Sequence, residues 1–97
     1  MDYEFELIDK SNRKIHISKK QWVHIRKKHP EIEELETLKD CLKNPDKITN
    51  YNFDETVHYY YKYLKYLKSK YKLLCLAVKY LNGKGYIITA YFDNKVK

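Results

Sequence analysis

Glycine and proline are almost missing from this sequence, with two of each in 97 residues. That excludes a flexible linker or a low-complexity tail. Cysteine is as rare, and Cys41 and Cys75 stand far apart, so the spacing gives neither a disulfide framework nor a zinc module. A reduced, cytoplasmic setting is therefore expected. The longest strictly apolar run, residues 73–78, is six residues long. A membrane-spanning helix needs about 20, so no membrane partner is expected. The first residues lack the basic start and apolar stretch of a secretory leader. No internal repeat is visible. Acid is the last scarcity, because Asp93 is the sole acidic residue beyond position 55.

What is present is basic and rich in tyrosine. Residues 1–55 hold 11 Lys/Arg against 12 Asp/Glu, whereas residues 56–97 hold 9 lysines against that one acid. Nine of the 11 tyrosines also fall in the second part. A neutral part joined to a basic, tyrosine-rich part is the electrostatic footprint of a protein that meets a polyanion. A solvated lysine face in a chain of biased composition is the alternative. The length suits one domain with one modest core, spanning residues 1–97.

Local patterns give an α+β layout. Residues 3–7 alternate as a strand does, and residues 14–17 suit a short return strand. Ser18 and Gln21 have the spacing of a capping box, and Ile17 and Trp22 that of a hydrophobic staple, so a helix starts at Ser18. Trp22, Ile25 and His29 share one face of it, and His24, Lys27 and Lys28 point away. Pro30 disfavours helix at His29 and suits the first position of a second helix. Glu31, Glu33 and Glu34 fall in the first turn of that helix, Ile32, Leu35, Leu38 and Leu42 form its stripe, and Asn44-Pro45 ends it.

Strands are expected at residues 48–51, 56–67, 72–81 and 86–92, with turns at 68–70 and at Asn82-Gly83-Lys84-Gly85. Residues 60, 64, 67, 71 and 74 also satisfy a helical stripe, but the β-branched and aromatic opening of 56–67 favours strand. The expected fold is an N-terminal hairpin and two helices packed on a four-stranded antiparallel sheet.

The most chemical stretch is residues 24–31, with two imidazoles and three fixed positive charges. Imidazole moves protons near neutral pH. Two histidines five apart are rotated by about 140° on a helix, which does not suit chelation of one ion. No carboxylate cluster of metal-binding type appears either, so no metal or other cofactor is expected.

Trp22, His24-Ile25, His29-Pro30-Glu31, Asn44-Pro45-Asp46, Tyr60-Tyr61-Lys62, the apolar residues 73–78 and Ile87-Ile88-Thr89-Ala90-Tyr91-Phe92 follow one another in order. This succession resembles the small phage-associated nuclease-like domains of the barnase–EndoU–colicin–RelE superfamily. It covers most of the chain, from about position 14 to about position 95. The resemblance implies a helical N-terminal part on a four-stranded antiparallel sheet, RNA or another nucleic acid as substrate, and cleavage without a metal. It also implies a role as a toxin or mobile-element protein, with a cognate inhibitor protein as a partner.

Metal-independent RNA cleavage needs a base for the 2′-hydroxyl proton, a cation for the crowded transition state and an acid for the leaving 5′-oxygen. On the matched positions, His29 is expected to transfer the proton, Lys62 to stabilise charge, and Thr89 to bind phosphate or orient the reacting group. His24, Tyr61 and Tyr91 are the expected substrate contacts. Glu31 and Glu55 are further carboxylates able to act as bases. Each has a plainer reading: a histidine at a helix end, one more solvated lysine, a strand threonine, a surface histidine, core tyrosines. The rival functions are a non-catalytic nucleic-acid-binding module of the same fold and a protein-interaction regulator.

Overall fold

The computed structural model describes residues 3–8, 12–64 and 72–94. In chain order the elements are β1 (Tyr3–Ile8), β2 (Lys14–Ser18), α1 (Lys19–Lys28), α2 (Leu35–Lys43), β3 (Lys47–Tyr51), β4 (Asp54–Tyr63), β5 (Leu73–Leu81) and β6 (Lys84–Asp93). All six strands belong to one sheet of order β1-β2-β6-β5-β4-β3.

Strands β3 to β6 are antiparallel neighbours, as expected, but the sheet is six-stranded and mixed rather than four-stranded. The N-terminal hairpin is not a separate appendage. β2 lies parallel to β6, with Lys14, Ile15 and His16 opposite Lys84, Gly85 and Tyr86. Such a pairing joins segments about as far apart as the chain allows and leaves no local trace in either. The expected turn at 68–70 lies outside the described residues.

The β5–β6 turn is formed by Asn82 and Gly83 with φ of 54° and 77°. Two successive positive φ values give a tight turn whose twist matches the flanking strands, which is why an Asn-Gly pair occupies it. At the start of α1, the Ser18 hydroxyl accepts from the Gln21 backbone N–H at 3.1 Å. The Gln21 side chain does not close a capping box. It donates instead to the Ile88 carbonyl on β6.

α1 stops where Pro30 predicts, with the His29 N–H bonded to the Ile25 carbonyl at 2.8 Å. The second helix starts later than expected. Residues 30–34 are turn and extended chain, and α2 opens after Glu34, whose side chain makes no cap. The Ile32 N–H bonds the His29 carbonyl at 3.0 Å, and this turn buries Ile32 to 1% exposure. Burying that side chain beside the core outweighs the propensity of an acidic first turn, which water solvates equally well outside a helix.

Both helices contribute to one core. Ile25 of α1 and Leu38, Cys41 and Leu42 of α2 cluster with Ile15, Ile17, Tyr60, Leu74, Leu76, Val78, Ile87 and Ala90 of the sheet. Alternation along each strand then assigns the faces. Tyr60, Leu76 and Ala90 form a row on the helical face, and Tyr59, Ala77 and Thr89 form the neighbouring row on the other face, open only in that the buried residues of α1 and α2 pack on the first.

Candidate active site

The parallel pairing covers only the first three residues of β6. Beyond Tyr86 the flank of β6 turned toward β2 meets α1, which anchors there through Gln21 on Ile88. A register shift between Ala77 and Val78 of β5 leaves Ile88 as the extra residue of a bulge at that point. Bulges re-aim the following side chains, here Thr89 and Tyr91.

The last residue before Pro30 arrives at the same flank. The His29 ring lies 6.4 Å from the Tyr91 ring, tilted by 40°. Its Nδ1 is 4.0 Å from Glu31 Oε1, and its side chain keeps 30% exposure. The α1 C-terminus therefore delivers a partly solvated imidazole, with a carboxylate beside it, to the strand that carries Thr89. Thr89 is half-buried on the open face, in the row of Ala77 and Tyr59.

Lys62 is placed elsewhere. It pairs with Leu74, and Leu74 with Phe92, so it projects from the helical face, opposite to Thr89. Its ammonium donates to the Asn44 carbonyl at 2.7 Å and lies 3.8 Å from Asp40 Oδ2. There it holds the C-terminal end of α2, where a cation meets the last carbonyls and the negative end of the helix dipole. The structure thus brings the His29 ring to Tyr91 of β6, the strand that also carries Thr89, and it does not bring Lys62 to them.

The remaining expected contacts separate similarly. His24 is exposed on α1. Tyr61 sits on the open face but is fully buried, with the Thr49 hydroxyl 3.4 Å from its own. Tyr91 is half-buried and its hydroxyl is sealed from solvent.

Two features were missed from sequence. The first is Lys79, the one charged side chain in the apolar strand β5. It lies on the open face next to the Ala77 row and donates to Asp54 Oδ2 at 2.8 Å. That bond and those from Thr56 hold the Asp54 carboxyl down at about 2. A lone lysine inside an otherwise apolar strand was the available signal. The second is His16, buried to 2%, whose Nε2 lies 2.5 Å from Glu6 Oε2 and whose ring is 5.5 Å from that of Tyr86. Its bond holds the Glu6 carboxyl below the usual range. Burial pushes the Cys41 thiol far up, away from nucleophilic use.

Among the described residues, no group of three or more His, Cys, Asp or Glu side chains is arranged to hold a metal ion. Nor is any described helix long and apolar enough to cross a membrane.

A family model described as phage-Barnase-EndoU-ColicinE5/D-RelE like nuclease 2 matches residues 1–97. The chain belongs to this family. Its nuclease-like character agrees with the excess of lysine over acid in residues 56–97. No curated protein and no solved structure matches the chain.

Proposed function

We propose that the protein is an endoribonuclease that works without a metal at the β6 flank. The observation that carries this reading is the His29 ring 6.4 Å from that of Tyr91, on the strand that also holds Thr89, with Glu31 Oε1 4.0 Å from the His29 Nδ1. Glu31 takes the 2′-hydroxyl proton, and the freed 2′-oxygen attacks phosphorus. His29 gives a proton to the departing 5′-oxygen, which leaves a 2′,3′-cyclic phosphate. Thr89 donates to a phosphate oxygen. Lys79, on the same face, supplies the positive charge for the transition state. Tyr91 acts as a positioning residue: a buried hydroxyl and a ring beside the imidazole suit holding His29 better than stacking on a base. Lys62 is assigned to securing α2.

The test is single-turnover cleavage of a labelled RNA in excess chelator. We expect His29→Ala to slow cleavage by roughly 100-fold or more and Thr89→Ala to slow it less. Full activity of a folded His29→Ala protein defeats this assignment. Binding with a steep salt dependence and intact RNA supports the non-catalytic module, a reading favoured by the excess of lysine in residues 56–97. Growth arrest on expression, relieved by His29→Ala, supports a toxin role and justifies a search for a cognate inhibitor. Capture of a protein partner without RNA binding or cleavage supports the regulator.

A further inference from the structure

Among the described residues, the aromatic side chain most exposed to solvent stands away from the β6 flank, in the β3–β4 turn. Phe53 is 87% exposed, whereas the next described large apolar side chain, Ile8, reaches 54%. Its ring is not isolated. It lies 5.5 Å from the Tyr51 ring, which lies 5.9 Å from Tyr59, which lies 6.4 Å from Tyr61. The array runs from the turn onto the open face. Asn50, Tyr51, Asn52, Phe53 and Tyr59 line a pocket of about 360 Å³, within the range of small-ligand sites.

Three chemical features point to one occupant. The exposed rings of Phe53 and Tyr51, inclined by 66°, offer a π-face to any planar aromatic that enters. Two carboxamides, each both donor and acceptor, suit the polar edge of a nucleobase. The array also leads toward the catalytic residues, since Tyr59 occupies the same cross-sheet row as Ala77 and Thr89. Two strand spacings separate Tyr59 from Thr89, roughly 10 Å, with Ala77 in the row between them. Lys47, in register with Tyr61, flanks this path with positive charge, and Lys79, in the adjacent row, lies along it paired with Asp54.

We propose that the β3–β4 turn is a base-binding subsite, in which an unpaired nucleobase of single-stranded RNA stacks on Phe53 with Tyr51 at its edge, the RNA backbone crossing Ala77 to Thr89. It rests on the reading of the β6 flank as the cleavage site and adds the substrate class, an unpaired strand rather than a duplex. In a duplex the faces of the bases are already stacked and unavailable to Phe53.

The test is equilibrium binding of a fluorescent single-stranded 2′-O-methyl RNA of about ten nucleotides, which has no free 2′-hydroxyl to react. We expect Phe53→Ala to weaken binding by roughly 5- to 150-fold with an unchanged salt slope, because no phosphate contact is lost. Phe53→Trp should restore it. An RNA with one abasic nucleotide at the stacked position should bind the unaltered protein equally weakly, and Phe53→Ala should add no further loss.

Phe53 is in the solvent, so its replacement spares the core. Circular dichroism checks that the fold is intact. If the RNA binds and unmodified RNA is cleaved, but neither Phe53→Ala nor the abasic nucleotide changes affinity, the subsite is refuted and the cleavage site stands. If the unaltered protein neither binds nor cleaves RNA, both fall. A Phe53→Ala effect confined to a protein partner, with RNA affinity unmoved, refutes the subsite in favour of a protein-docking turn.

Discussion

The Lys79 ammonium donates to the Asp54 carboxylate across 2.8 Å, tying the middle strand of the open face to the turn that carries Phe53. Asp54 titrates at about 2 rather than at its ordinary 3.8, first because of Lys79 and then because of Thr56. A carboxylate with a lowered folded-state pKa stabilises the fold above its unfolded pKa and loses that contribution as pH falls toward the folded value. Thermal stability should therefore decline between about pH 4 and pH 2, and Asp54→Asn should flatten that part of the profile. The same substitution frees Lys79. RNA binding should then tighten, and its logarithmic salt slope should steepen by about one phosphate contact.

Lys62→Met should reduce stability and spare chemistry. Removing the ammonium takes a charged donor from the Asn44 carbonyl and a cation from the end of α2. The expected cost is about 1 kcal/mol, or roughly 4–8 °C in Tm for a chain of this size. The single-turnover rate of the folded variant should stay within about 3-fold of the parent, against roughly 100-fold for His29→Ala. A loss of rate as large as that of His29→Ala, at unchanged Tm, would return Lys62 to the reaction.

Gly85→Ala should be more damaging than its size suggests. A Cβ at Gly85 would lie 2.8 Å from Tyr80 Cε1 and 3.0 Å from Ile15 Cγ1. Ile15 is fully buried, and Tyr80 is fixed by a 2.6 Å bond between its hydroxyl and that of Tyr60 and by the Arg13 guanidinium 3.6 Å above its ring. Overpacking of this kind costs about 1–3 kcal/mol. Urea unfolding should show a lower midpoint, and the loss should shrink when Tyr80 is replaced by Leu to make room.

Cys41 and Cys75 should react with iodoacetamide only as fast as the protein opens. Both are fully buried, and burial keeps the Cys41 thiol protonated. Labelling should accelerate steeply with urea and track the loss of helical signal. Rapid labelling of Cys41 in native buffer would mean that α2 separates locally from the sheet.

The features legible in sequence were those with local causes. Ser18, Pro30 and the Asn82-Gly83 turn act within a few residues of themselves, and each appears where expected. The late start of α2 was not legible, because Ile32 chooses the core over the helix only once the core exists. Neither was the orientation of Lys62. In Tyr59-Tyr60-Tyr61-Lys62, tyrosines line both faces of the strand, so no alternation reveals which side a given residue takes. The packing of α2, a tertiary fact, makes that side the helical one. His29 and Thr89 could be named from their motifs, whereas Lys79 came into view only when β5 acquired neighbours on both sides.

The last strand in sequence order is an interior strand in space, lying between β2 and β5. Until residues 84–93 dock, no strand pairing among the described residues joins the β1–β2 hairpin to the β3–β5 ribbon, and β2 and β5 each present a bare edge to other chains. Synthesis from the N-terminus therefore reaches the joining segment after every other described strand. A product cut short before position 84 would lack Thr89 and Tyr91 and expose two edges open to aggregation. The residues of the proposed site on β6 and closure of the sheet therefore arrive in the same step.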